Sequence, residues 1–120
     1  MLLVEDEDGV RSLAHHILTT CGYQVLQAAH GAQALSLATQ HTGPIDVLIT
    51  DVVMPNMGGR EVADHIQKLY PDVRILYISG YTDDAIVRHG VLTERANFLQ
   101  KPFTPMLLSL KVREVLDSPA

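Results

Sequence analysis

The chain of 120 residues has a single cysteine, Cys21, so neither an internal disulfide nor a cysteine-based zinc cage can form. That usage fits a reducing compartment. No apolar run approaches the roughly 20 residues that a bilayer-spanning helix needs. The first apolar segment, "MLLV", is too short for a secretory core and runs straight into acids. Basic residues are also scarce: 9 Lys and Arg stand against 14 Asp and Glu, and the formal charge is -5. Without a basic cluster the chain lacks the means to displace counterions from a duplex, so no nucleic acid is expected as a direct partner. Internal repeats, low-complexity tracts and linkers are missing too, and one domain over residues 1–120 is expected.

What is present is an alternation. Short apolar runs ("MLLV", "YQVLQ", "IDVLIT", "VRILYIS", "NFLQ") are each followed by a segment of helical period, at residues 8–21, 31–40, 58–69, 82–89 and 104–117. In the first helix Val10, Leu13, Ala14, Ile17, Leu18 and Cys21 recur every three or four residues, which predicts that Cys21 packs in the core. Val62, Ala63, Ile66 and Leu69 make the same stripe in the third. "VLIT" and "ILYIS" are nearly continuous apolar strands, as expected where helices cover both faces of a parallel sheet. The fold class is therefore α/β, doubly wound, and in such sheets ligands bind beyond the carboxyl ends of the strands.

Those ends carry the chemistry. The first run ends in Glu5 and Asp6, the third in Asp51, the fourth in Ser79, and the fifth in Gln100-Lys101-Pro102. Three carboxylates meeting at one edge repel one another and resist ionisation unless a cation sits among them. A hard divalent ion with oxygen ligands, most simply Mg²⁺, resolves that conflict and keeps waters that a phosphate can displace. A carboxylate is also a nucleophile toward phosphorus, and Asp51 is the candidate. Phosphoryl transfer needs chiefly positioning and charge neutralisation, tasks that suit the Lys101 ammonium and the Ser79 hydroxyl.

Each residue has an ordinary reading when taken alone. "EDED" is a solvated helix start, where acids favour the positive dipole end. Asp51 caps or forms an Asx turn before the break at Met54-Pro55, and Ser79 and Lys101 are turn and surface residues. The six histidines make no ligand pattern; His15 and His16 are adjacent and face different ways. What overturns the ordinary readings is that the acids, the serine and the lysine end four different strands of one sheet.

The segments "LLVEDE", "LITDVVMPNMGG", "YISGY" and "FLQKPF" together resemble the motif set of bacterial response-regulator receiver domains over essentially the whole chain. The resemblance implies a flavodoxin-like (βα)5 fold, a five-stranded parallel sheet of order 2-1-3-4-5, for which a receiver is a standard example. It further implies Asp51 as phosphoacceptor, Glu5 and Asp6 as the acidic pair, and the backbone carbonyl of Val53 as a further Mg²⁺ ligand. Ser79 would bind the phosphoryl group, and Lys101 would pair with it ahead of a cis bond to Pro102. The family's switch would fall on Ser79 and Phe98, where Phe98 departs from the common tyrosine by lacking a hydroxyl. Val53, two residues past the acceptor, is apolar and Tyr81, two past Ser79, is bulky; neither is suited to polarise an attacking water, so slow autodephosphorylation is expected, by on the order of tenfold.

The expected partner is a histidine kinase or phosphotransfer protein, which would carry the donor histidine. The domain would sit in the cytoplasm without contacting membrane itself, and its activity would be limited to self-phosphorylation and autodephosphorylation. No oligomeric state is legible. The abrupt ends lead us to expect a piece of a hybrid sensor kinase, with a stand-alone regulator as the alternative. A pseudo-receiver that never takes phosphate is a third reading. An aspartyl phosphatase of the haloacid-dehalogenase type is disfavoured because it wants an acid where Val53 stands.

Overall fold

A computed structural model of the chain describes residues 1–54, 57–79, 97–101 and 103–117. Its strands are β1 (Leu2–Val4), β2 (Leu26–Ala28), β3 (Val47–Asp51), β4 (Arg74–Ser79) and β5 (Asn97–Gln100). The described helices are α1 (Asp8–Thr20), α2 (Gly31–Gln40), α3 (Gly59–Leu69) and α4 (Pro105–Asp117). All strand pairs are parallel, in the order β2-β1-β3-β4-β5. The helix expected over residues 82–89 lies outside the described residues, as do Tyr81 and Pro102.

Alternation along the strands divides the core in two. Leu2, Val4 and Leu48 face α2 and α3, packing with Ala34, Ala38, Val62 and Ile66. Leu3, Val47, Ile49, Leu76 and Ile78 face the other way, onto Ala14, Leu18, Leu108 and Val112 of α1 and α4. Each fully buried Leu or Ile stabilises the fold by about 1.5–3 kcal/mol through area removed from water. Helices on both faces explain why β3 reads as one apolar run: all five of its residues are buried.

Local chemistry sets the helix ends. Thr104 Oγ1 accepts a hydrogen bond from Leu107 N (3.1 Å), and Pro105 occupies the first helical position of α4, where its missing N–H costs nothing. His30 Nδ1 accepts from Gln33 N while Gln33 Oε1 accepts from Ala29 N, a reciprocal cap for α2.

At the far end of α1, Tyr23 N donates to Leu18 O and Gly22 N to Thr19 O, with Gly22 at φ 95°. This pair of bonds stops the helix at Thr20, since only a glycine takes that left-handed turn without strain. Cys21 is therefore left exposed at the helix end, not packed in the core as its spacing predicts. Leu13 is likewise 44% exposed and Leu69 49%, because each lies on the flank of its stripe. β2 begins at Leu26, three residues later than "YQVLQ" predicts, because it pairs only with the short β1, from Leu2↔Leu26 to Val4↔Ala28.

Candidate functional site

The parallel sheet brings the carboxyl ends of β1, β3, β4 and β5 to one edge. Glu5 follows β1 and is fully buried, with its backbone N–H bonded to Ala28 O. Its Oε1 accepts from Glu7 N at 3.1 Å, a bond that folds the β1–α1 loop back on itself. Asp51 is the last residue of β3 and 3% exposed. Ser79, the last residue of β4, is also buried, and its carbonyl accepts from Lys101 N at 2.9 Å. That backbone bond places the lysine beside the acids.

Lys101 Nζ lies 2.9 Å from Glu5 Oε2, 3.1 Å from Asp51 Oδ2 and 3.5 Å from Glu7 Oε1. The contact to Glu5 is an ion pair without a well-directed hydrogen bond, whereas Asp51 Oδ2 and Glu7 Oε1 receive directed bonds. Asp51 Oδ1 is buried and has no hydrogen-bond partner among the described residues. An unsatisfied carboxylate oxygen away from water is costly. Burial first, and then the neighbouring Glu5 charge, push the Asp51 carboxyl from its usual 3.8 up to about 7, against the pull of Lys101. Burial acts to lower the Lys101 ammonium, but its close contacts and charge pairing with Glu5 and Asp51 outweigh that and hold it above its ordinary value.

Glu5, Asp6 and Asp51 each offer one oxygen, all within 4.8 Å of one another. Asp6 is exposed, whereas Glu5 and Asp51 are buried. Three hard oxygen donors, on residues that also carry the orphaned buried Asp51 Oδ1, fit a divalent cation such as Mg²⁺.

Backbone packing fixes the strand end that carries Asp51. Gly59 N donates to Val52 O at 2.8 Å, and a Cβ on Gly59 would collide with the Asp51 carbonyl oxygen. Gly59 therefore permits α3 to start directly against the end of β3. Val53 is half-buried against the α2–α3 side of the core. Phe98 is half-buried too, its ring 5.7 Å from that of Tyr77, its partner across β4 and β5. Ser79 pairs with Gln100, so Ser79 and Phe98 sit diagonally across the two strands. A cavity of about 510 Å³, lined among others by Met1, Tyr23, Gln24, His41 and Asp46, opens at the opposite, amino edge of the sheet and shares no residue with the acids.

The model of the response regulator receiver domain family matches residues 1–113. The chain belongs to that family. Receivers bind Mg²⁺ at an acidic pocket and interact with histidine kinases or phosphotransfer proteins. This receiver is 38% identical over 117 residues to the sensor kinase CckA of Brucella abortus, covering 98% of the chain but only 12% of that relative. It is 34% identical to a chemotaxis protein CheY homologue of Campylobacter jejuni, covering 98% of the chain and 92% of the homologue. Among solved structures it resembles the receiver domain of the hybrid histidine kinase CckA, with TM-score 0.81, 36% identity and 97% of each chain covered. Among the described residues no helix is long and apolar enough to cross a membrane.

The sequence pattern picks out Glu5, Asp6, Asp51, Ser79 and Lys101, and these come together. It misses Glu7, which reaches Lys101, and Arg11, which bonds back to the Glu5 carbonyl. The only signal for either is the unbroken run of acids before an arginine.

Proposed function

We propose that this receiver accepts a phosphoryl group on Asp51 from a phosphohistidine of a histidine kinase or phosphotransfer protein. An Asp51 carboxylate oxygen attacks phosphorus, the P–N bond to the donor imidazole breaks with its electron pair returning to nitrogen, and an aspartyl phosphate forms. The observation that carries this reading is the buried Asp51 carboxylate, with one oxygen on the Lys101 ammonium and the other without a partner among the described residues. Lys101 pairs with a phosphoryl oxygen once Asp51 is phosphorylated, and the Ser79 hydroxyl donates to another. Mg²⁺ would be held by Glu5, Asp6, Asp51 and the Val53 carbonyl, and when bound it neutralises charge on the phosphoryl oxygens.

The switch pair is Ser79 and Phe98. Because Phe98 has no hydroxyl, it responds by packing, through its ring contact with Tyr77, and not by a hydrogen bond. By residue type neither Val53, two positions past Asp51, nor Tyr81, two past Ser79, is suited to polarise an attacking water, and we expect this to lengthen the lifetime of the phosphoryl group. The likeness to a sensor kinase that is far longer than this chain supports a hybrid-kinase origin. The CheY homologue, spanned over 92% of its length, supports a free-standing regulator instead, and the size of the native polypeptide on an immunoblot separates the two.

Phosphoramidate, a small P–N donor, tests the acceptor without a cognate kinase. Incubation with Mg²⁺ is expected to give an acyl-phosphate ³¹P signal that is sensitive to hydroxylamine and lost in Asp51→Asn. A signal that survives this substitution would place the phosphate elsewhere and sink the reading.

A further inference from the structure

Four consecutive acids, Glu5 to Asp8, lead from β1 into α1, and Arg11 follows one turn later. The Arg11 side chain is only 18% exposed. Its two terminal nitrogens do different things. Nη2 donates to Asp8 Oδ1 at 2.6 Å, an ordinary pair three residues apart on a carboxylate that is 89% exposed, and such pairs contribute little. Nη1 donates to the carbonyl oxygen of Glu5 at 2.9 Å, across six residues, and so clamps the strand end to the first turn of α1.

That carbonyl belongs to the peptide joining Glu5 to Asp6. Asp6 is exposed, so packing does little to aim its carboxylate, and the direction is set by the backbone from which it departs. Glu5 needs no such help, being buried and tied to Glu7 N and Lys101. We infer that Arg11 is a positioning residue for the cation site: by holding the Glu5–Asp6 peptide it keeps the Asp6 carboxylate within reach of Glu5 and Asp51. The inference rests on the proposed binding of a divalent cation by these acids. Groups that orient metal ligands without touching the metal typically change its affinity by about 10–100-fold when removed.

The sign of the effect distinguishes positioning from charge. A guanidinium near three carboxylates repels a cation, so by charge alone its deletion strengthens metal binding, by less than about threefold at physiological salt. Positioning requires the reverse.

The test is Mn²⁺ binding to the 120-residue chain, read by the free-ion electron paramagnetic resonance signal and repeated with competing Mg²⁺. Arg11→Ala is expected to weaken binding about tenfold with a cooperative thermal melt retained. Arg11→Lys keeps the charge but cannot bridge both oxygens, and is expected to fall between the two; it also serves as the folded variant if Arg11→Ala melts early. Asp8→Asn, which breaks only the exposed pair, is expected to stay within about threefold of the native chain. Unchanged or tighter binding in folded Arg11→Ala or Arg11→Lys overturns the inference while leaving the cation site intact. A native chain that fails to bind Mn²⁺ overturns the cation site and the inference with it.

Discussion

Lys101 Nζ stands 3.1 Å from Asp51 Oδ2, although the two residues are 50 apart in the chain. The sheet order makes this meeting, and the bond from Lys101 N to Ser79 O holds the lysine's backbone against the end of β4. One ammonium thus serves two buried carboxylates, Glu5 and Asp51. It stabilises them in the cation-free state, and in the proposed mechanism it also meets the phosphoryl oxygens.

Removing that ammonium leaves two buried acids facing each other. Lys101→Met is expected to destabilise the metal-free domain by about 3 kcal/mol, because a broken buried pair leaves an uncompensated charge. It should also slow phosphorylation by about 10²-fold, the effect of losing one preorganised donor. A denaturant melt and a phosphorylation time course check the two halves separately.

The raised Asp51 carboxyl gives a pH dependence of defined sign. In the folded, metal-free state it holds its proton up to about 7, whereas the unfolded chain releases it near 3.8. Folding is therefore penalised progressively as pH rises through that window, and the penalty is complete above it. Asp51→Asn removes the titration, so its stability gain over the native chain should be near zero at the acid end and grow to about 2 kcal/mol past neutrality. Paired urea melts across the range measure it; a gain that shrinks as pH rises contradicts the assignment.

Mg²⁺ is expected to raise the melting temperature of the native chain, since a ligand bound only by the folded state adds about 1–3 kcal/mol when well above its dissociation constant. In Asp6→Ala the shift should be largely lost. Asp6 is the exposed member of the acid cluster, so its truncation removes a ligand and little packing.

Gly59→Ala places a methyl group against the Asp51 carbonyl. The expected cost is about 1–3 kcal/mol of stability from overpacking. The displaced strand end should also lower the phosphorylation rate, a loss that a mutation of similar cost on the α1 side of the core would not produce.

Tyr81→Glu is expected to shorten the lifetime of the phosphoryl group about tenfold, by offering an acceptor that can activate water. Decay of the phosphorylated chain, followed after removal of the donor, reads it directly. An unchanged decay rate would remove Tyr81 from the set of residues that tune it.

The sequence made the sheet legible because its strands are apolar on both faces and its helices on one. α2 spans residues 31–40 as its period predicts, and the cluster of acids and lysine follows from asking what ends each strand. The failures have local causes. Periodicity carries Cys21 onto the core face, but Gly22 turns the chain one residue later and takes it out. Leu13 obeys the spacing and still lies on the flank of the stripe, since one step rotates a helix by roughly 100° away from Ala14. Arg11 stayed hidden because its partner is a backbone carbonyl, and no side-chain pattern announces one.

The most direct measurement is the intact mass of the chain after incubation with acetyl phosphate and Mg²⁺, alongside Asp51→Asn and a chelated control. One phosphoryl adduct is expected on the native chain with metal present, and none in either control. An adduct on Asp51→Asn, or no adduct on the native chain under conditions that modify another receiver, would contradict Asp51 as the acceptor.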